Sequence, residues 1–266
     1  MTAGMEMPRR SWVEQIMGMP ISVHLRGPGV STGPGVARVV AAVFEQLRQV
    51  DHLMSTYRAD SEVIRHRRGE LTLSRCHPWV REVVELCEQA RLRTDGYFDA
   101  RLPGGFDPSG LVKGWAVERA ARLLAGIDAC DYYLNAGGDI ALGVAAPDAP
   151  GWRVGIEDPR DPTRILAVRE ARCGGVATSG SAARGAHIVD PHTGRRPDDL
   201  LAVTLIGPTL LWADVYATAA FARGADALHW LRTHAPAYEA LVVYRDGRAA
   251  PADGADQHPE PPAWQA

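Results

Sequence analysis

Several short stretches of this chain carry the residue types that chemistry on a phosphate ester needs. In Asp107-Pro108-Ser109-Gly110-Leu111-Val112-Lys113-Gly114 a loop runs into a helix. The free amides and positive dipole end of a helix start suit an anionic group, and Lys113 adds a compact charge. Read only as structure, Asp107 or Ser109 caps the helix and Lys113 is a surface residue. Asp214 and Thr218 stand four apart in Asp214-Val215-Tyr216-Ala217-Thr218, so a helix places both on one face. A carboxylate with a hydroxyl is a hard-oxygen pair suited to Mg²⁺, which keeps other positions for water and phosphate. The plainer reading is a cap and a buried helical threonine.

Three further motifs supply turns, hydroxyls and an imidazole. Asn135-Ala136-Gly137-Gly138-Asp139 lies between two short strand candidates, where paired glycines allow either a tight hairpin or a close approach to a ligand. Thr178 and Ser179, within Ala177-Thr178-Ser179-Gly180, offer hydroxyls and amides. His187 opens His187-Ile188-Val189-Asp190-Pro191-His192-Thr193-Gly194, which ends in a turn sequence; a lone histidine serves either as a proton acceptor or as an ordinary packed residue. The set favours phosphate-ester or pyrophosphate chemistry. No GxSxG elbow points to acyl transfer, no GxGxxG follows a strand, and no Walker loop is present.

Composition narrows the class. The chain has 266 residues, of which 46% are hydrophobic and 23% charged, which places it with soluble globular proteins rather than disordered ones. A formal charge of −3 gives no footprint for nucleic acid or anionic lipid, and no apolar run approaches a membrane span. The N-terminal stretch reads without an export signal or lipid-acceptor cysteine, so a cytoplasmic location is expected. Cys76, Cys87, Cys130 and Cys173 form no CxxC and are expected to be reduced and buried. Of the 29 basic residues only one, Lys113, is lysine, which hints that this position needs a point charge rather than a guanidinium fork.

The elements that must position these groups follow from periodicity. Residues 12–25 alternate as one strand, or as two around Gly18, and 36–54 carry apolar residues at helical spacing. A polar loop follows, then a helix over 77–93 and a long irregular segment over 94–110 of the sort that carries function. A helix is expected at about 112–125, then strands at 131–135, 139–144, 152–157, 165–169, 187–190 and 201–206, helices near 211–222 and 225–233, and a strand at 239–244. Helices and strands mix without βαβ alternation, which makes an α+β domain. The boundaries read as an N-terminal tail over 1–11, one domain over 12–245, and a disordered tail over 246–266.

The order of the motifs resembles the ApbE-type flavin transferases, the FAD:protein FMN transferases. The matching pieces are Met17-Gly18-Met19, Met54-Ser55-Thr56-Tyr57 with Ser61-Glu62, Gly96-Tyr97-Phe98-Asp99, the 107–116 segment, Asn135–Asp139, Ala177–Gly180, His187–Gly194 and Ala213–Thr218. They are colinear and span most of the chain. The resemblance implies a single ApbE-type domain with a largely antiparallel sheet. It implies Mg²⁺-dependent cleavage of FAD, with the FMN half passed to a Thr or Ser hydroxyl of an acceptor flavoprotein bearing an FMN-binding domain, and AMP released. By position, Asp107 and Lys113 match FAD contacts, as do Thr178, Ser179 and Ile188. Met17, Ser55, Thr56, Tyr57, Tyr97, Phe98 and Asp99 match the flavin and adenine walls. Gly110, through its carbonyl, Asp214 and Thr218 match metal ligands, and His187 the general base. Two other readings stay open at this point: a FAD pyrophosphatase giving FMN and AMP, and a flavin-binding module without turnover. Two departures stand out, namely Met19 after Met-Gly and a spacing of only eight positions from Asp99 to Asp107.

Overall fold

Alternation in residues 9–26 resolves into two strands, β1 (Arg9–Ile16) and β2 (Met19–Arg26), in a computed structural model that describes residues 7–31, 34–102, 104–180 and 188–252. Met17 (φ 56°) and Gly18 (φ 73°) close the hairpin with positive φ at both positions, the two-residue turn whose twist matches antiparallel strands. Arg9 pairs with Arg26, so the sheet begins inside the expected N-terminal tail. Helix α1 (Pro34–Met54) buries Val36, Val40, Val43, Phe44, Leu47, Val50 and Leu53 along one face, as the spacing requires. The short α2 (Glu62–Arg67) lies in what reads as a polar loop; six residues show no period, and the Ser61 hydroxyl caps it by accepting from the Ile64 amide at 3.2 Å. In α3 (Pro78–Arg93), Val80, Val83, Cys87 and Ala90 face the core.

The irregular stretch that follows contains a small hairpin of β3 (Arg101–Leu102) and β4 (Gly105–Phe106). Helix α4 (Ser109–Ala125) starts three residues earlier than its apolar period implies. The Asp107 carboxylate accepts the Ser109 amide at 2.9 Å and the Pro108 carbonyl accepts from Leu111 and Val112, so the first turn is built from loop-type residues. Next come β5 (Asp131–Ala136), β6 (Asp139–Gly143), β7 (Trp152–Asp158), β8 (Asp161–Ala171), β9 (Cys173–Gly180), β10 (Leu200–Gly207), α5 (Leu210–Arg223), α6 (Ala227–His234), β11 (Glu239–Tyr244) and β12 (Ala249–Ala252).

Three expectations are corrected here. Residues 188–190 form no strand: Asp190 spends its carboxylate on the His192 amide and the Thr193 hydroxyl, and its backbone bonds to Arg195 and Gly194, so no ladder is available. His187 lies outside the described residues. Strand β9 occupies the hydroxyl motif Ala177–Gly180, which its adjacent glycines disguise as a loop. Strand β12 falls within the expected tail and pairs Ala240 with Ala252; its Ala-Ala-Pro-Ala sequence is tolerated because it is an edge.

The eight-stranded sheet runs β1-β2-β5-β6-β9-β10-β11-β12, antiparallel at every pairing. One face carries α1, α4, α5 and α6 over the main core, to which Ala141 and Ala177 contribute. Their strand neighbours Leu142 and Val176 point the other way and are covered by the β7–β8 hairpin through Val154 and Ala171. The molecule is therefore α+β with an antiparallel sheet.

Candidate active site

The site forms where one end of the sheet meets two helices. Strand β5 turns into β6 through Gly137 (φ 60°) and Gly138 (φ 98°), the second two-residue turn of this type, and the Asn135 side chain accepts the Gly138 amide at 2.9 Å. The Met17–Gly18 turn is adjacent in the sheet, since Ile21 pairs with Ala136 and the Met19 sulfur lies 3.1 Å from where a Gly137 Cβ would stand. The turn delivers Asp139 to the start of β6 with its side chain inward, 1% exposed. There it forms an ion pair with Lys113 of α4 and accepts the Thr178 amide of β9 at 3.2 Å. Thr178 in turn shares a hydroxyl bond with Thr204 of β10, and Ser179 one with Thr218 of α5, each at 2.9 Å. Alternation along β9 puts Ser179 on the helix face with Ala177 and the Thr178 and Thr204 hydroxyls on the opposite face, so the helix face gathers a lysine, an aspartate and the Ser179 and Thr218 hydroxyls from four elements.

Helix α5 brings Asp214, 4% exposed, one turn before Thr218. The two helices touch at Gly114: a Cβ built there would lie 3.0 Å from the Asp214 Cβ and 3.2 Å from its Oδ2. Nearby, Glu118 accepts the Leu211 amide at 2.9 Å. Residue numbers rise on α5 as they fall on α4, so the helices are antiparallel, and Gly110 lies one turn before Gly114 on the same face. Among the described residues no three His, Cys, Asp or Glu side chains gather as a metal cage. The donors that do converge, a carboxylate, a hydroxyl and a helix-start carbonyl, fit a hard cation that completes its shell with water or phosphate oxygens. The glycine at 114 keeps the space beside Asp214 clear of a side chain.

The remaining expected residues are placed as follows. Phe98 is buried with its ring 3.2 Å from where a Gly110 Cβ would stand, so the Tyr97–Asp99 turn packs on the start of α4. Asp99 accepts from the amide and guanidinium of Arg101. Burial, then the charges of Asp107 and Asp99, pushes the Cys87 thiol up to about 12. Ser55, Thr56 and Tyr57 form the turn leaving α1, where the Ser55 hydroxyl accepts the Tyr57 amide at 3.3 Å. Tyr57 is 99% exposed, a ring with its face open to whatever docks there. Ile188 is buried in the main core.

The ApbE family model matches residues 17–104 and 101–242. The chain belongs to the ApbE family. Over 142 residues it is 32% identical to the FAD:protein FMN transferase of Escherichia coli K12, covering 49% of this chain and 40% of that protein. Over 130 residues it is 31% identical to that of Vibrio cholerae, covering 45% and 39%. The matched stretch thus spans about 40% of the length of these curated relatives. The fold is shared with an ApbE protein of Thermotoga maritima (TM-score 0.80, 18% identity, 92% and 97% of the two chains). It is shared equally with the flavin transferase ApbE of Vibrio cholerae (TM-score 0.76, 22% identity, 94% and 98%). No described helix is long and apolar enough to cross a membrane.

Asp139 is the residue that motif reading passed over. Its sequence signal is an acid directly after a two-glycine turn, at the inward position of a strand that alternates through Ala141. The ApbE motifs are therefore not separate loops: Asp139 ties the lysine of one to the Thr178 backbone amide of another.

Proposed function

We propose that this ApbE-family chain transfers the FMN moiety of FAD to a Thr or Ser hydroxyl of an acceptor flavoprotein, releasing AMP, with Mg²⁺ as the required cation. The observation that supports this reading is the set of Lys113, Asp139, the Thr178 amide, Ser179 and Thr218 on one face, with Asp214 beside it. A diphosphate needs positive charge and directed donors. Lys113, fixed by Asp139, would supply the point charge, and Ser179 a hydroxyl contact. Asp214, Thr218 and the Gly110 carbonyl would hold Mg²⁺, which on binding draws charge from the phosphate oxygens.

The acceptor hydroxyl oxygen forms a bond to the flavin-side phosphorus, the bridging P–O bond breaks, and its electron pair leaves on AMP. The hydroxyl proton goes to His187, which the family resemblance offers as base; a positioned imidazole typically contributes about 10²–10⁴-fold. In-line displacement asks mainly for positioning and charge stabilisation, and the rigid strand ends and antiparallel helix pair supply both. Met17, the Ser55–Tyr57 turn and the Tyr97–Asp99 turn would flank the flavin and adenine.

Incubation of the chain with FAD, Mg²⁺ and an FMN-binding domain bearing an exposed threonine should add the mass of one FMN to that domain, with one AMP per adduct. AMP and free FMN without an adduct on any acceptor would instead show a pyrophosphatase.

A further inference from the structure

The Tyr97–Asp99 turn is approached through Asp95 (φ 52°) and Gly96 (φ 80°), whose contacts were not part of the motif reading. Two non-local elements grip this left-handed pair. From α6, His234 Nε2 lies 2.8 Å from Asp95 Oδ2, and Trp230 Nε1 donates to the same oxygen at 3.3 Å. From the 188–199 segment, His192 Nε2 bonds the Asp95 carbonyl at 2.9 Å, and its ring covers Gly96, 3.3 Å from where a Cβ would stand. The His192 ring then meets the Tyr97 ring edge-on at 4.6 Å, and the Arg223 guanidinium lies 4.9 Å from the Tyr97 centroid.

Donor chemistry shows how this grip works. A carbonyl only accepts, so His192 must carry its proton on Nε2. His234 Nδ1 faces the Trp230 carbonyl at 3.0 Å while Nε2 faces a carboxylate. His234 is also stacked on Trp230 at 4.5 Å and 16°, which fixes its plane.

We propose that Asp95 is a positioning residue for the flavin nucleotide, and that His234, Trp230 and His192 act through it to set where Tyr97 and Phe98 stand against the start of α4. The role rests on the reading of Tyr97–Asp99 as a wall of the FAD site. Free FAD would then meet a preformed wall, and loss of the grip would weaken FAD binding while leaving the phosphate machinery around Lys113 and Asp214 in place.

The test uses Asp95→Gly, His234→Ala and the double variant. Glycine accepts the left-handed backbone without strain, so Asp95→Gly removes the side-chain contacts while sparing the turn its steric penalty. Each single change is expected to raise the KM for FAD about three- to tenfold, with kcat within twofold and the melting temperature within two degrees. The double variant should match the singles rather than multiply them, because both remove one interaction. His234→Gln, which retains one donor, should recover part of the loss. Unchanged KM in both singles, or effects that multiply, would overturn the positioning role and leave the transferase reading intact. A wild-type chain that binds no FAD would overturn both.

Discussion

Lys113 stands at the centre of the residue-scale account, because it is ion-paired with Asp139. The pair is almost wholly buried, with side-chain exposures of 16% and 1%. A buried ion pair adds little net stability when intact, yet removing one partner strands the other and costs about 3–5 kcal/mol. Lys113→Met should therefore lower the unfolding free energy by about that amount, and adding Asp139→Leu should recover much of it without recovering activity; urea denaturation with an activity assay checks both. Lys113→Arg should retain stability better than activity, since a planar fork does not reproduce a point charge. A second residue ties stability to pH. His24 stacks on Tyr133 across β2 and β5 at 4.2 Å, and burial lowers its pKa. The folded chain thus favours the neutral ring, while the unfolded chain takes up a proton near the ordinary histidine value. Stability is accordingly whole above about pH 6.5 and declines as pH falls below it. Thermal melts between pH 8 and pH 5 should show this fall, and His24→Phe should make it shallower.

At the scale of elements, the decisive contact is α4 against α5 at Gly114. The two helices carry the lysine and the carboxylate–hydroxyl pair, so their spacing sets the distance between positive charge and cation site. A methyl at 114 would meet the Asp214 Cβ at 3.0 Å and the Leu210 carbonyl at 3.1 Å, neither of which is a flexible chain end. Gly114→Ala should cost about 1–3 kcal/mol as overpacking and should displace Asp214, weakening the apparent Mg²⁺ dependence several-fold in a metal titration. Elements with strong patterns were legible in the sequence: α1 and α3 show helical stripes, α5 is a long run of apolar residues buried nearly all round, and β2 and β11 alternate or run apolar. What was missed has a physical reason in each case. The six-residue α2 is too short to show a repeating stripe, β9 carries glycines near its start, β12 is built from Ala and Pro, and the first turn of α4 is written in loop residues held by Asp107. Segment 188–190 looks like a strand but spends its polar groups locally.

For the molecule as a whole, the sheet brings motifs far apart in the chain to one of its ends. Every pairing is antiparallel, so hairpin turns fall at shared ends, and the Met17–Gly18 and Gly137–Gly138 turns come to lie side by side. Sequence order could show that these motifs belong to one family, but not that Asp139 links them, nor that α6 and the 188–199 segment hold the Asp95 turn. Those contacts are long-range pairings of polar residues, which leave no periodic trace. The whole-molecule claim is that cation, lysine and diphosphate share one cavity end. Fluorescence titration with FAD, in Mg²⁺ and in chelator, tests it most directly. The account predicts at least tenfold tighter FAD binding with Mg²⁺ in the wild type, and no such difference in Asp214→Ala. Equal FAD affinity with and without Mg²⁺, or a Mg²⁺ effect that survives Asp214→Ala, would contradict it.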